Sequence, residues 1–114
     1  MEKMIYDAED DILSLSGGRK IKSSIDIDDF IIDIDHRRLV CGMEILNASQ
    51  NLGFTKAQLN SMKKADITVT YKPNYVFLSI IIKLGNKEKS IKIPLAIDLG
   101  HREMKTEKTI YAVA

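Results

Sequence analysis

The chain has 114 residues, of which 45% are hydrophobic and 29% charged, with a formal net charge of +1. That length fits one domain able to bury a core without staples. The composition excludes a disordered chain and exerts no overall pull toward nucleic acid or anionic lipid. Cys41 is the single cysteine, which excludes an internal disulfide and a cysteine zinc cluster.

Met1-Glu2-Lys3 leads straight into a strand-like segment with no apolar signal region, so a cytoplasmic protein is expected. Met4 to Asp7 reads as a short strand closed by the turn Asp7-Ala8-Glu9-Asp10. Ile12 to Ser16 follows, then a Gly17-Gly18 turn, then a strand from Lys20 to Ile27. Phe30, Ile32 and Ile34 alternate with Asp33 and Asp35. After a turn at His36-Arg37, Leu39 to Leu46 forms another strand.

One helix interrupts this series. Thr55 as N-cap with Gln58 three residues on fits a capping box, and Phe54 with Leu59 fits a hydrophobic staple. The helix is expected over about 56–64, with Lys63 and Lys64 favourable at its C-terminal end, and Asn47 to Asn51 could add a turn before it.

Ile67 to Tyr71, Tyr75 to Leu84 and Lys87 to Leu95 form a three-strand meander with turns at Pro73-Asn74 and Gly85-Asn86. Two-residue turns fix its register. Ile80 then faces Ile91 and Ile67, Leu78 faces Ile93 and Val69, and Val76 faces Leu95 and Tyr71. On the other face Lys83 meets Glu88. The longest apolar stretch, Tyr75 to Ile82, is too short to cross a bilayer as a helix. Residues 96–114 form a charged tail whose end, Thr109 to Ala114, is strand-like and either pairs with a sheet edge or frays.

Charge is uneven: residues 1–57 hold 7 Lys and Arg against 11 Asp and Glu, whereas residues 58–114 hold 10 against 5. Head-to-tail packing, an acidic face for a basic partner, or simply solvated charge would each produce this.

Two patterns carry a resemblance. In the first, Tyr6, Asp7, Glu9, Asp11, Leu13 and Leu15 follow a Tyr-Asp-x-Glu-x-Asp-x-Leu-x-Ile pattern. In the second, Asp33, Asp35, Gly42, Glu44, Ile45, Leu46, Ala48 and Ser49 follow an Asp-x-Asp and Gly-x-Glu-Ile-Leu-x-Ala-Ser pattern. The chain thereby resembles, over about 4–52, a small prokaryotic family classed as a domain of unknown function. The resemblance implies a small α+β domain of β-hairpins, a regulatory or accessory role and no established activity. The family's turn glycine is missing from Asp35-His36-Arg37-Arg38-Leu39. A left-handed non-glycine residue costs about 1 kcal/mol, so a different turn type is expected there.

The acidic turns offer oxygen donors of the kind Ca²⁺ or Mg²⁺ takes, with Asp7, Asp11, Asp33 and Glu44 as candidates. The spacing is not that of an EF-hand loop. Alternation places Asp26 with Asp28, and Asp33 with Asp35, on solvated strand faces. Glu44 shares an alternation with Val40, Gly42 and Leu46; burial of that face would call for a partner such as Tyr6 or an arginine. Cys41 alternates with Leu39 and Met43 as a core residue. His36 and His101 lack partners at ligand spacing. Gly17-Gly18-Arg19-Lys20 reads as a hairpin turn and not a phosphate loop. The lysines at 63, 64, 87, 89 and 92 have no aromatic platform for single-stranded nucleic acid.

Tyr75, Phe77 and Ile81 fall on the meander face opposite the core, as an apolar stripe that suits a partner surface. The sequence therefore points to one α+β domain: a mainly antiparallel sheet of about seven strands with one main helix. The expected function is a non-enzymatic interaction or regulatory protein, acting as a homo-oligomer or on a protein partner, without cofactor, membrane or nucleic acid. The alternative is a divalent-metal or small-ligand site at the acidic N-terminal turns.

Overall fold

The alternation of aliphatic and polar residues builds strands along most of the chain. In the computed structural model, which describes residues 2–113, these are β1 (Lys3–Asp7), β2 (Ile12–Ser16), β3 (Ile21–Ile27), β4 (Phe30–Asp35), β5 (Val40–Ile45), β6 (Lys64–Lys72), β7 (Tyr75–Leu84), β8 (Lys87–Leu95) and β9 (Lys105–Ala112). Two five-residue helices, α1 (Ala48–Leu52) and α2 (Lys56–Asn60), connect β5 to β6. Met1, and Ala114, which ends the expected strand-like segment from Thr109, lie outside the described residues.

The strands form one sheet in the order β3-β4-β5-β2-β1-β9-β6-β7-β8. The expected count of about seven falls short, and the sheet is mixed, because β9 runs parallel to β1. That contact is a single residue pair, Lys3 with Ala112, whereas β9 pairs with β6 over eight. The sheet thus consists of an N-terminal wing, β1 to β5, and a C-terminal wing, β6 to β9. Aliphatic residues from both wings enter one buried cluster, and the Val40 N–H donates to the Tyr71 hydroxyl at 2.7 Å across it. Each wing covers the other's apolar face, as two packed layers must.

The meander registers match their expectation pair for pair. Ile80 faces Ile91 and Ile67, Leu78 faces Ile93 and Val69, and Val76 faces Leu95 and Tyr71. Lys83 lies 3.8 Å from Glu88. Asn74 (φ 62°) and Gly85 (φ 58°) supply the left-handed residues that such tight turns need.

Four expectations are corrected. The tail's β9 is inserted between β1 and β6 and lies at no edge; its inward Tyr111 is buried. The α2 capping box is present, with Thr55 and Gln58 bonding reciprocally, but the helix stops at Asn60. Buried Met62 and Ala65 draw the chain into β6, so Lys64 opens a strand instead of ending a helix. The turn lacking glycine keeps its left-handed position, with Arg38 at φ 64°. Finally, a register shift of β5 against β4 near Cys41 turns Val40 into the core, so Val40 and Glu44 do not share a face.

Candidate functional site

The acidic residues are best understood by what their oxygens hold. Asp11 takes a left-handed conformation (φ 56°) in the β1–β2 turn. Its carboxylate accepts from the Tyr6 hydroxyl at 2.6 Å, the Ser49 hydroxyl at 2.6 Å and the Ser49 N–H at 3.0 Å. The Ala48 N–H donates to the Asp11 carbonyl. Asn47, at the N-cap of α1, makes no side-chain cap bond, so Asp11 satisfies the start of that helix from 38 residues away. Burial pushes the Asp11 carboxyl up, but hydrogen bonds from Ser49 and Tyr6 and the charge of Lys56 outweigh it, and the net shift is downward. Tyr6 is pushed up to about 12, by burial first and then by its bond to Asp11.

Neighbouring acids do similar work. Asp7 accepts from the N–H groups of Glu9 and Asp10, and Asp29 from the side-chain amide of Asn51 at 2.9 Å. Asp35 is not on a solvated face as expected: it is 3% exposed. Its Oδ1 accepts from the N–H groups of Arg37 and Leu39, which closes the β4–β5 turn around Arg38. Its Oδ2 lies 3.3 Å from Arg19 and receives no hydrogen bond. That is an ion pair with poor directionality.

The four candidate metal ligands are therefore committed separately. Asp7 and Asp11 brace the same turn, Asp33 accepts from the Ser24 hydroxyl at 2.8 Å, and Glu44 stands half-buried between Ser14 and Ile31. Tyr6, named as a partner for Glu44, bonds to Asp11 instead. Among the described residues, no three Asp, Glu, His or Cys side chains come together in a way that could hold a metal ion. Cys41 is buried, and its thiol is pushed up by burial and then by Asp33 and Asp35. That favours an inert core thiol.

At the opposite end of the strands, the turns carry cations. Arg38 and Arg102 line one surface pocket with the Pro73-Asn74 turn and the β8–β9 loop, where His101 Nε2 lies 2.8 Å from the Arg38 carbonyl and its ring 4.6 Å from that of Tyr71. A cavity of about 400 Å³ opens there beside Arg38, Asp98 and Gly100. Sequence spacing gave no sign of this grouping, because its members come from three separate connections.

The interface candidates Tyr75, Phe77 and Ile81 all point away from the core and are half-buried. Their cross-strand neighbours are Lys72, Thr70 and Asp66 on β6, and beyond Asp66 lies Ile110 of β9, which is 48% exposed.

Residues 3–49 match the family described as protein of unknown function (DUF2283). An uncharacterised protein of Methanocaldococcus jannaschii is 34% identical over 91 residues, 78% of each chain. The chain belongs to the DUF2283 family. A second relative, from Methanosarcina mazei, bears the name putative hypoxanthine phosphoribosyltransferase and is 28% identical over 90 residues, 78% of this chain and 73% of its own. No solved structure matches. Both relatives align over more residues than the DUF2283 match spans, so the likeness reaches into the C-terminal wing.

The geometry gives the DUF2283 patterns a physical meaning. Tyr6, Asp11 and Ser49 form one hydrogen-bonded clamp between the first turn and α1. Gly42 is needed because a Cβ there would stand 2.6 Å from the Leu15 carbonyl oxygen. The shared residues build this half of the fold.

Proposed function

We propose that this DUF2283 protein is a non-enzymatic interaction protein that works through protein–protein contact on the outer face of its C-terminal wing. One observation carries the reading: Tyr75, Phe77 and Ile81 stand on the outer face of β7, away from the core, and keep part of their surface open to solvent. The large apolar side chains of the connection between β5 and β6, Leu52, Phe54, Leu59 and Met62, are spent on the core. Aromatic and aliphatic side chains on an outer sheet face, set among polar neighbours as these are, suit a surface that meets another protein. The occupant is a second copy or a different protein.

The acids of the N-terminal wing support this reading by being engaged in turns and caps. Phosphoribosyl transfer, which the name of the Methanosarcina relative would suggest, remains the enzymatic rival. Turnover of hypoxanthine with phosphoribosyl diphosphate by the purified chain would replace the interaction reading.

The direct test uses Phe77→Ser and Ile81→Lys, with folding checked by circular dichroism. Both are expected to abolish binding through this face, seen as loss of a co-purifying protein identified by mass spectrometry or as a smaller assembly by light scattering. A wild-type chain that is monomeric, co-purifies with nothing and leaves Tyr75 open to fluorescence quenching by acrylamide would overturn the proposal.

A further inference from the structure

A nine-stranded open sheet has two edges, and this chain treats them differently. The β8 edge carries Lys87, Lys89 and Lys92 and has Pro94 within the strand. Lysines and a proline are standard protection against a foreign strand. The β3 edge, Ile-Lys-Ser-Ser-Ile-Asp-Ile, has no proline and a single lysine, and its first four residues are exposed.

The backbone of β3 is set up to accept a neighbour. Its hairpin to β4 turns at Asp28-Asp29, with Ile27 and Phe30 as the closing pair. A two-residue turn makes the closing pair hydrogen-bonded. By alternation Ile25 and Ser23 also bond inward to β4, and the N–H and C=O groups of Ser24 and Asp26 point away from the sheet. The stretch from Ser23 to Ile27 is regular, since the register shift in this pair lies between Ile21 and Ser23.

We infer that β3 is a docking edge for a second copy of this chain, which pairs antiparallel about a two-fold axis at Ile25. In that register Ile25 meets its own copy. Ser24 meets the partner's Asp26, so the outward-pointing groups exchange four backbone hydrogen bonds. Ser23 faces the partner's Ile27, and Lys22, beside the register shift, comes level with the partner's Asp28-Asp29 turn, which places opposite charges near both ends of the junction. The inner face gains as well. Ile25 and Ile27 of β3, and Ile91, Ile97 and Leu99 from β8 and the loop after it, are only partly buried against the core. A strand added at β3 extends the sheet over this unfinished margin. The contact is small, so the dimer is weak and concentration-dependent.

This goes beyond the interaction reading above and uses a different surface, so each stands or falls separately. The test is sedimentation velocity on the full chain over a range of concentrations. Wild type is expected to dimerise. Asp26→Pro removes a donor that faces away from β4 and is expected to remain folded by circular dichroism while sedimenting as a monomer; Phe77→Ser is expected to keep this dimer. Lys22→Glu, at an exposed position, sets like charges near the partner's Asp28-Asp29 turn and is expected to weaken the dimer about fivefold; it decides the matter if Asp26→Pro does not fold. A wild type that is monomeric throughout would overturn the inference. So would a dimer indifferent to Asp26→Pro, or to Lys22→Glu where the proline variant does not fold, or one lost only in Phe77→Ser.

Discussion

The two wings reach order by different means. Strands in the N-terminal wing run five to seven residues, and carboxylates pin its turns: Asp7, Asp11, Asp29 and Asp35 each hold backbone or side-chain donors. Strands in the C-terminal wing run eight to ten residues, and its hairpins use two-residue turns with one left-handed residue each. Short strands bury too little to fix their own connections, so side chains in the turns must do it. Long alternating strands define their register by burial alone.

That contrast can be broken first in the C-terminal wing. Leu78 is fully buried between Val69 and Ile93, and Leu78→Ala is expected to cost about 2–5 kcal/mol in urea or thermal unfolding, since it empties the most regular part of the core. A cost below about 1 kcal/mol would mean that periodicity does not hold this wing.

In the N-terminal wing the comparable lesion is polar. Asp11→Ala removes three hydrogen bonds and is expected to cost about 2 kcal/mol, with amide exchange rising in the β1–β2 turn and α1 before β6 to β8. The carboxyl's folded pKa is lowered, so its contribution is present above the unfolded value, about 3.9. It is lost as pH falls through the folded value. Acid should loosen this clamp in wild type and have no such effect in the variant. Tyr6 supplies the opposite limb: its pKa is raised to about 12, so its contribution is complete below about 10 and disappears as pH rises through the folded value. Tyr6→Phe should flatten part of that alkaline loss; Tyr111, also raised to about 12 by burial, and Tyr71, raised by burial as well, retain the rest.

The smallest effect sharpens the comparison. Arg38 occupies a left-handed position held by the Asp35 carboxylate. Arg38→Gly is expected to change stability by less than about 1 kcal/mol, in the stabilising direction, because relief of the left-handed conformation offsets glycine's entropy. A clear loss would show that the Arg38 side chain, which packs against Gly100, matters more than its backbone.

Legibility in the sequence followed the same division. Both meander registers could be read from alternation because Ile67 to Leu95 places an aliphatic residue on the core face at nearly every second position. β9 could not, since Lys105, Thr106, Glu107 and Lys108 carry no apolar alternation and only Tyr111 is buried. The clamp of Tyr6, Asp11 and Ser49 was visible as two patterns but not as one contact, because 38 residues separate its ends. The burial of Asp35 was misread because a period of two cannot show a carboxylate folding back on its own turn.

The insertion of β9 between β1 and β6 has a consequence for folding. Chain order is not sheet order here: β1 and β6 both precede in sequence the strand that lies between them. Until residues 105–112 pair, the sheet carries four open edges, at β3, β1, β6 and β8, instead of two, and each can recruit a neighbouring polypeptide. Failure of β9 to insert would therefore hold the molecule in its stickiest form, with β1 and β6 open beside the two edges that the finished sheet keeps.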